Sequence, residues 1–215
     1  MPRSCCAGES LDIFGENGAR RELRRYLGKG LGGDDAKRIA DWAEQGGLDG
    51  ATVMEVGGGI GQIQVELLRR GAARVTNLEI SSSYEEEARA LLERSGLTDR
   101  VTRRFVDIAR SPDDVEAADI VVLHRVVCCY PDYEALLAAA GSHARRLLVF
   151  SHPPRNVISR GAMWAENVPR RLRHESFRTF AHPVEAMEAV LVGTGLTPSY
   201  VHRGWAWHVA GLERR

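Results

Sequence analysis

The residues of this chain best suited to bind a ligand are a run of glycines preceded by an acid. The run consists of Glu55, Gly57, Gly58, Gly59 and Gly61. Glycine adopts positive φ and lets the backbone approach a ligand closely, and the helical pattern that follows supplies free N–H groups. The spacing Gly-x-Gly-x-Gly, with Gln62 next, differs from the Gly-x-Gly-x-x-Gly pattern of dinucleotide sites. The run therefore favours a ligand without a pyrophosphate, whose cationic amino-acid group Glu55 would orient through water.

Two more acids stand at the ends of the next two predicted strands. Glu79 can accept hydrogen bonds from both hydroxyls of a ribose, the usual role of an acid after the second strand of a nucleotide-binding sheet. Asp107 can accept from an adenine amino group, with Ile80 and Ile108 as apolar walls. Each feature has an ordinary alternative, a tight turn for the glycines and a helix cap for each acid. Their joint occurrence at three successive strand ends predicts an adenosine-containing ligand.

The elements that position these residues alternate between strand and helix. The predicted strands are 51–56, 74–80, 101–106, 119–127 and 147–150, followed by 196–202 and 205–210 as a closing hairpin. Helical patterns fill most of 11–45 and the connections between strands, whereas 151–180 is expected to be irregular or short-helical. This alternation predicts a parallel sheet with helices on both faces and a ligand at the carboxyl ends of its strands.

The glycine run and the strand-end acids resemble the motifs of the class I S-adenosylmethionine-dependent methyltransferases over roughly residues 35–212. The resemblance implies an α/β, Rossmann-like fold with N-terminal capping helices and a seven-stranded, mostly parallel sheet of order 3-2-1-4-5-7-6. It also implies an enzyme that transfers a methyl group from S-adenosylmethionine by in-line substitution, and the neutral charge of the chain favours a small molecule over a nucleic acid as the acceptor. The implied cofactor-binding residues are Glu55, Gly57, Gly58, Gly59, Gly61, Glu79, Ile80, Asp107, Ile108 and His124. Residues 1–34 would form an N-terminal helical cap or tail, and 35–215 the methyltransferase domain, with 151–180 as a lid over the acceptor.

Candidate catalytic residues follow the fourth and fifth strands. They are His124, Tyr130 and His152, each of which has a side chain able to exchange a proton. The alternatives are a strand-end histidine that solvates a loop for His152 and a core or rim aromatic for Tyr130. Some methyl acceptors require such a base, whereas a carboxylate does not.

The segment around Tyr130-Pro131 has a distant resemblance to the magnesium-protoporphyrin methyltransferases. Cys129 stands where those enzymes usually carry a histidine, and Tyr26 would match a pocket tyrosine of that family. Residues 151–180 carry six arginines against two glutamates, and arginine is the natural partner of a carboxylate or phosphate. We therefore expect Tyr26, Cys129 and Arg155 to contact an acceptor that is acidic. A solvated basic helix face is the alternative for the arginines.

The charge balance excludes several kinds of partner. Lys+Arg and Asp+Glu each number 29, so the formal net charge is zero, which argues against a protein that coats nucleic acid or an anionic membrane. No secretory signal or membrane-length apolar run is visible, which predicts a cytoplasmic protein. The exposed-looking Trp205 and Trp207 of the closing hairpin could serve an interface.

Two alternative functions use the same fold. The adjacent pairs Cys5–Cys6 and Cys128–Cys129 suggest a soft-metal or arsenite site, and with it a metalloid methyltransferase. The spacing offers no Cys-x-x-Cys element, so no resident metal is predicted. A non-catalytic S-adenosylmethionine-binding or regulatory protein is the other alternative, because no acceptor residue is fixed by the sequence. A nucleotide-dependent oxidoreductase is opposed by the glycine spacing.

Overall fold

The computed structural model describes residues 16–174 and 177–215. Its helices are α1 Glu16–Lys29, α2 Asp34–Gln45, α3 Gln62–Arg69, α4 Glu85–Ser95, α5 Tyr133–His143, α6 Val157–Leu172 and α7 Val184–Gly193. Its strands are β1 Thr52–Val56, β2 Arg74–Glu79, β3 Val101–Phe105, β4 Ala118–Leu123, β5 Ala144–His152, β6 Leu196–Arg203 and β7 His208–Arg214. Short 3-10 turns connect several of these elements.

The strands form one seven-stranded sheet of order β3-β2-β1-β4-β5-β7-β6. The first five strands are parallel, and β7 is antiparallel to both β5 and β6. The predicted α/β fold and strand order are therefore confirmed. Because β1 to β5 are parallel, the residues that follow them all emerge at one edge of the sheet.

The two faces of the sheet carry separate hydrophobic cores. Alternate residues of a strand point to opposite faces, so Val53 joins the core beneath α1 to α4 while Met54 joins the core beneath α5 and α7. Val149 and Phe150 of β5 divide in the same way. The central strands are thus buried on both sides, which explains their continuous apolar sequences.

Three strands differ from the sequence expectations by more than one residue at an end. The strand predicted over 119–127 ends at Leu123, because Arg125 adopts a φ of 58° that no strand can contain. The strand predicted over 205–210 is instead His208–Arg214, and 204–207 form the loop of the hairpin. The fifth strand runs from Ala144 to His152, longer than predicted.

The segment 151–180 contains a long helix where irregular structure was expected. Helix α6 spans 16 residues, and the Asn156 side chain caps it by accepting a hydrogen bond from Ser159 N at 2.8 Å. Its residues are all at least partly exposed. Sequence periodicity was a poor guide here because the helix contributes nothing to either core.

Helix α1 contributes to the core that also lies beneath α2, α3 and α4. Ala19 and Tyr26 are buried in it, and Arg20 Nε donates to Glu87 of α4 at 3.2 Å. The division at residue 34 remains a prediction. Among the described residues, no helix is long and apolar enough to cross a membrane.

Candidate functional site

The ends of β1, β2 and β4 surround a cavity of about 250 Å³, which we call the strand-edge cavity. Residues from all three predicted groups line it: the glycines of the loop, Glu79 with Ile80, and the segment after β4 that includes His124, Cys129 and Tyr130. The parallel topology brings these distant parts of the sequence to one place.

The loop after β1 requires glycine for two different reasons. Gly57, Gly59 and Gly61 have φ values of 64°, 56° and 85°, which side chains other than glycine rarely adopt. Gly58 is required for space, because a Cβ atom there would overlap the Asn77 amide and lie 2.7 Å from the Glu55 carboxyl. The loop therefore lies directly on the side chains beneath it and presents backbone to the cavity.

Glu79 holds the glycine loop in place. Its Oε2 accepts a hydrogen bond from Gly59 N at 3.0 Å, and its Oε1 accepts from Ile80 N at 2.8 Å and from Ser81 N at 3.1 Å. A carboxylate offers about four acceptor positions, so three bonds leave one for a ligand. Glu79 is thus both part of the loop structure and part of the cavity lining.

An apolar slot of about 40 Å³ adjoins the strand-edge cavity. Ile80 and Ile108 form part of its walls, and Asp107 lies at its polar end. The Tyr130 hydroxyl donates to Asp107 Oδ2 at 2.9 Å. Tyr130 therefore lines both the apolar slot and the strand-edge cavity, and its hydroxyl already has a partner.

Glu55 lies beneath the loop rather than at its surface. It is 2% exposed, and Asn77 Nδ2 lies 3.4 Å from its Oε2. Burial raises the pKa of Glu55 to about 8, although the nearby Arg103 and hydrogen bonds from Gln64 and Asn77 act in the opposite direction. At neutral pH the group is mainly uncharged, which weakens the predicted role of Glu55 as the partner of a cationic ligand group.

Asp35 links α2 to the end of β4, a connection that sequence reasoning missed. Its carboxylate accepts two hydrogen bonds from the Arg125 guanidinium, each 2.8 Å long, and its Oδ2 lies 2.9 Å from His124 Nε2. Burial alone would raise the pKa of Asp35, but these bonds and the arginine charge hold it well below its usual range. The Arg125 guanidinium also lies 4.8 Å above the Trp207 ring. The only signal in the sequence was an acid in the first turn of a helix, a position where acids are common.

A second cavity, of about 470 Å³, lies between α1 and the glycine loop. We call it the arginine cavity because Arg21, Arg25 and Arg125 line it. Glu22, Gly58, Tyr84, His124 and Arg125 line both cavities, so the two adjoin. The Gln62 side chain donates to Glu22 and fastens α1 to the start of α3. The sequence analysis expected α1 to reach the site through Tyr26, but the residues of α1 that line the cavities include Arg21, Glu22 and Arg25 instead. Phe177, which lines the strand-edge cavity, was not predicted as a site residue.

Three predicted site residues lie elsewhere. His152 is 3% exposed, packs against Phe150 and His208, and is outside the lining of both cavities, because β5 continues through it. Tyr26 is a core residue whose hydroxyl accepts from Arg69 Nη1 at 3.2 Å. Arg155 is exposed between β5 and α6 and lines neither cavity. The positions of these side chains do not support the catalytic and acceptor roles expected of them.

The cysteines give no support to a metalloid site. Cys128 is buried, Cys129 lines the strand-edge cavity, and their sulfur atoms are 3.6 Å apart. In the ranges 16–174 and 177–215 no three metal-binding side chains form a group. Cys5 and Cys6 lie outside the described residues.

Comparisons with known proteins agree with this geometry. Residues 53–147 match the family model of a methyltransferase domain. Magnesium protoporphyrin IX methyltransferase from Synechocystis PCC 6803, solved with bound SAH, superposes with a TM-score of 0.73 at 20% identity, over 95% of this chain and 98% of that chain.

Two larger solved structures are also similar. An O-methyltransferase family 2 protein from Planctomyces limnophilus, solved in complex with apigenin, has a TM-score of 0.67 at 22% identity, over 93% of this chain and 62% of that chain. An O-methyltransferase family protein from Burkholderia thailandensis has a TM-score of 0.69 at 16% identity, over 95% of this chain and 59% of that one. No curated protein matches the sequence of this chain. Residues 53–147 therefore match a methyltransferase domain, and the chain shares the fold of solved methyltransferases.

Proposed function

We propose that this protein transfers a methyl group from S-adenosylmethionine to a small acidic molecule. The observation that carries the proposal is the meeting of the glycine loop, Glu79 and the apolar slot at one cavity that adjoins a second, arginine-lined one. The first cavity has the groups that an adenosine needs, and the second has room and charge for an acceptor.

The residues present fit this cofactor. The slot offers aliphatic walls to an adenine ring and the Asp107 carboxylate to its amino group. Glu79 has an acceptor position left for a ribose hydroxyl, and a second becomes available if the Gly59 N–H turns to the ligand. The glycines of the loop have no side chains, so a ligand can approach its backbone closely. Glu55 then acts as a neutral support of the loop.

When bound, S-adenosylmethionine supplies a methyl group on a positively charged sulfur, which is the electrophile of the reaction. The task of the protein is to align the acceptor with that group and to exclude water. Glu22, Tyr84, His124 and Arg125 stand where the two cavities adjoin, so their side chains set the path between cofactor and acceptor.

The acceptor site is better assigned to α1 than to the lid. Arg21 and Arg25 line the arginine cavity, whereas Arg155, the residue first expected in this role, does not. Arg125 also lines it, but the charge of its guanidinium is balanced by Asp35. Arg21 and Arg25 therefore supply the positive charge for an acidic acceptor.

His124 is the best placed base for an acceptor that must lose a proton. Asp35 binds the Nε2 side of its ring, which leaves Nδ1 to accept the proton, an arrangement that fixes ring orientation as in other Asp–His pairs. A carboxylate acceptor reacts without this step. Replacement of His124 by Asn should therefore slow transfer to hydroxyl acceptors and spare transfer to carboxylates.

Ligand binding tests the cofactor assignment. Calorimetric titration should show binding of S-adenosylhomocysteine but no binding of NAD, and Glu79→Gln should weaken the former at least tenfold. Glu86→Gln is the matched control, because the Glu86 side chain is 71% exposed on the following helix. Binding of NAD without binding of S-adenosylhomocysteine would contradict the proposal. So would equal affinity of Glu79→Gln and Glu86→Gln for S-adenosylhomocysteine.

Turnover with a panel of acidic and neutral acceptors tests the substrate class. Arg25→Gln should raise KM for acidic acceptors about tenfold or more and leave the affinity for S-adenosylhomocysteine unchanged. The neighbouring Arg24→Gln is the control, because Arg24 lines neither of the two cavities. Binding of S-adenosylhomocysteine without turnover of any acceptor in the panel would favour the alternative of a non-catalytic, regulatory protein.

A further inference from the structure

Helix α6 turns its apolar side toward solvent. Val157, Trp164 and Leu172 are 84%, 70% and 76% exposed, and their spacing of seven and eight residues places them on one side of the helix, which we call the apolar line. Ile158 at the border of this line is 82% exposed. A surface helix normally buries its apolar stripe, so the orientation of α6 is the reverse of the usual one.

Polar contacts hold the inner side of α6 on the protein. The Asn167 side chain donates to Thr179 O at 2.8 Å and accepts from Thr179 N at 3.0 Å. Arg170 forms an ion pair with Glu166 at 3.6 Å and lies 5.0 Å above the Phe177 ring. These contacts fix which side faces outward, so the exposed apolar line is a property of the folded protein.

Basic side chains border the apolar line. Arg160 and Arg171 are exposed and fall on the same flank of the helix, next to Trp164 in projection. Glu166, the one acid of α6, falls on the opposite side and is paired with Arg170. The outward surface of α6 is therefore both apolar and positively charged.

A second exposed aromatic lies at the same edge of the sheet. His152 at the end of β5 pairs with His208 at the start of β7, so the hairpin loop 204–207 stands at the edge from which α6 begins. Trp205 in that loop is 94% exposed. Tryptophan favours the boundary between water and lipid, where its ring is half buried and its N–H remains hydrated.

We propose that α6, together with Trp205, docks this protein on the surface of an anionic lipid bilayer. A helix with Trp and aliphatic residues on one side and arginines beside them is the kind that lies in the interfacial plane of such a membrane. A second copy of the chain fits less well, because a twofold contact through α6 would bring Arg160 and Arg171 against their own counterparts. The inference differs from the expectation of no membrane partner, which rested on a net charge averaged over the whole chain, and it does not depend on the proposed methyl transfer.

Sedimentation with lipid vesicles tests the proposal. The probes are vesicles of phosphatidylcholine alone and vesicles of phosphatidylcholine and phosphatidylglycerol in equal parts. We expect at least tenfold stronger binding to the anionic vesicles. Trp164→Glu should reduce that binding at least tenfold, and so should the double variant Arg160→Glu with Arg171→Glu.

Matched controls separate the surface of α6 from general effects. Phe105→Glu adds an acid at another exposed apolar position, and Arg89→Glu with Arg94→Glu makes the same change of net charge on α4; both should bind like the unaltered protein. Val157→Glu is a second test of the apolar line, because an acid at the start of a helix does not impair folding.

Several outcomes would overturn the proposal. They are absence of vesicle binding, equal binding to both kinds of vesicle, or binding that either the apolar or the charge variants leave unchanged. A dimer in sedimentation velocity that Trp164→Glu dissociates, without vesicle binding, would assign the surface to a second copy instead.

Discussion

Folding shifts the pKa values of two buried acids of the site in opposite directions. At Glu55 desolvation outweighs the charge of Arg103 and the hydrogen bonds from Gln64 and Asn77, so its pKa rises to about 8. Asp35 is equally shielded from water, but a guanidinium and an imidazole hold its pKa below the usual range. The identity of the neighbours, which come from distant parts of the chain, therefore decides the charge of each acid at neutral pH.

The pH dependence of stability should reveal the raised pKa of Glu55. Between pH 5 and 8 the unfolded chain has an ionised Glu55 while the folded protein still binds the proton, so stability falls as pH rises through this range. Glu55→Gln removes this effect. The free energy of unfolding of the variant, relative to that of the unaltered protein, should thus increase from pH 5 to 8 and then level off, with a gain of a few kcal/mol at most. The melting temperature should follow the same trend. A difference in stability that stays the same at every pH would contradict the prediction, and Glu93→Gln, at an exposed position, is the matched control.

Asp35→Asn should have the opposite pH signature. Loss of the carboxylate leaves Arg125 and His124 without their partner and should cost about 1–3 kcal/mol in the free energy of unfolding at pH 7. The carboxylate stabilises the fold above its unfolded pKa, and this contribution is lost as pH falls through the folded pKa. Urea unfolding should therefore show a smaller difference at pH 3 than at pH 7. Asp34→Asn, at a position 64% exposed, should change stability by less than about 1 kcal/mol, and equal effects of the two substitutions would argue against the link to β4.

At the scale of the element, the loop after β1 and the turn after β4 determine the shape of the site. The loop depends on glycines that the sequence displays openly. The turn depends on Arg125, whose positive φ ends β4 and whose N–H donates to the buried Ser151 Oγ at 2.8 Å. An arginine in that conformation has no sequence signature, which is why the strand was predicted four residues too long.

Gly58→Ala should disrupt the loop after β1, because the loop packs directly on the side chains below it. The added methyl group would displace the Asn77 amide and press on the Glu55 carboxyl, with a loss of about 1–3 kcal/mol in stability and at least tenfold in affinity for S-adenosylhomocysteine. Gly28→Ala is the matched control, because a Cβ atom at that helical position meets no atom within 4 Å; it should be neutral or stabilising by about 0.5–1 kcal/mol. Calorimetry and urea unfolding measure both quantities. Unchanged binding by the Gly58 variant would show that the loop can move aside.

At the scale of the whole molecule, the site is assembled from the sheet edge and from a helix that precedes it. Helix α1 packs on α4 and supplies Glu22, Arg21 and Arg25 to the cavities. In the proposed arrangement the acceptor region has its walls on α1 and the loop, and Arg155, which the sequence analysis expected to hold the acceptor, lines neither cavity.

Hydrogen exchange should detect the role of α1. Because Glu22 lines both cavities, S-adenosylhomocysteine should slow amide exchange in α1 as well as in the glycine loop. Helix α7, which packs on the other face of the sheet, is the internal control and should exchange at the same rate with and without ligand. Protection confined to the strand ends, with α1 unaffected, would contradict the arrangement proposed for the two cavities.

The sequence by itself predicted the fold class, and the family resemblance added the strand order; the structure confirms both. Several residues expected around the cofactor also line one cavity at the edge of the sheet. These features follow from local rules: glycines must stand where φ is positive, and apolar strands buried on both faces read as continuous runs. Only the tertiary structure showed which neighbours surround the residues expected on the acceptor side. Asp35, His124 and Arg125 meet across 90 residues of chain, Tyr26 and His152 turn inward, and α6 exposes the side that its composition would have buried. Each of these outcomes depends on which residues the packing brings together, and the local sequence around a residue does not indicate its distant neighbours.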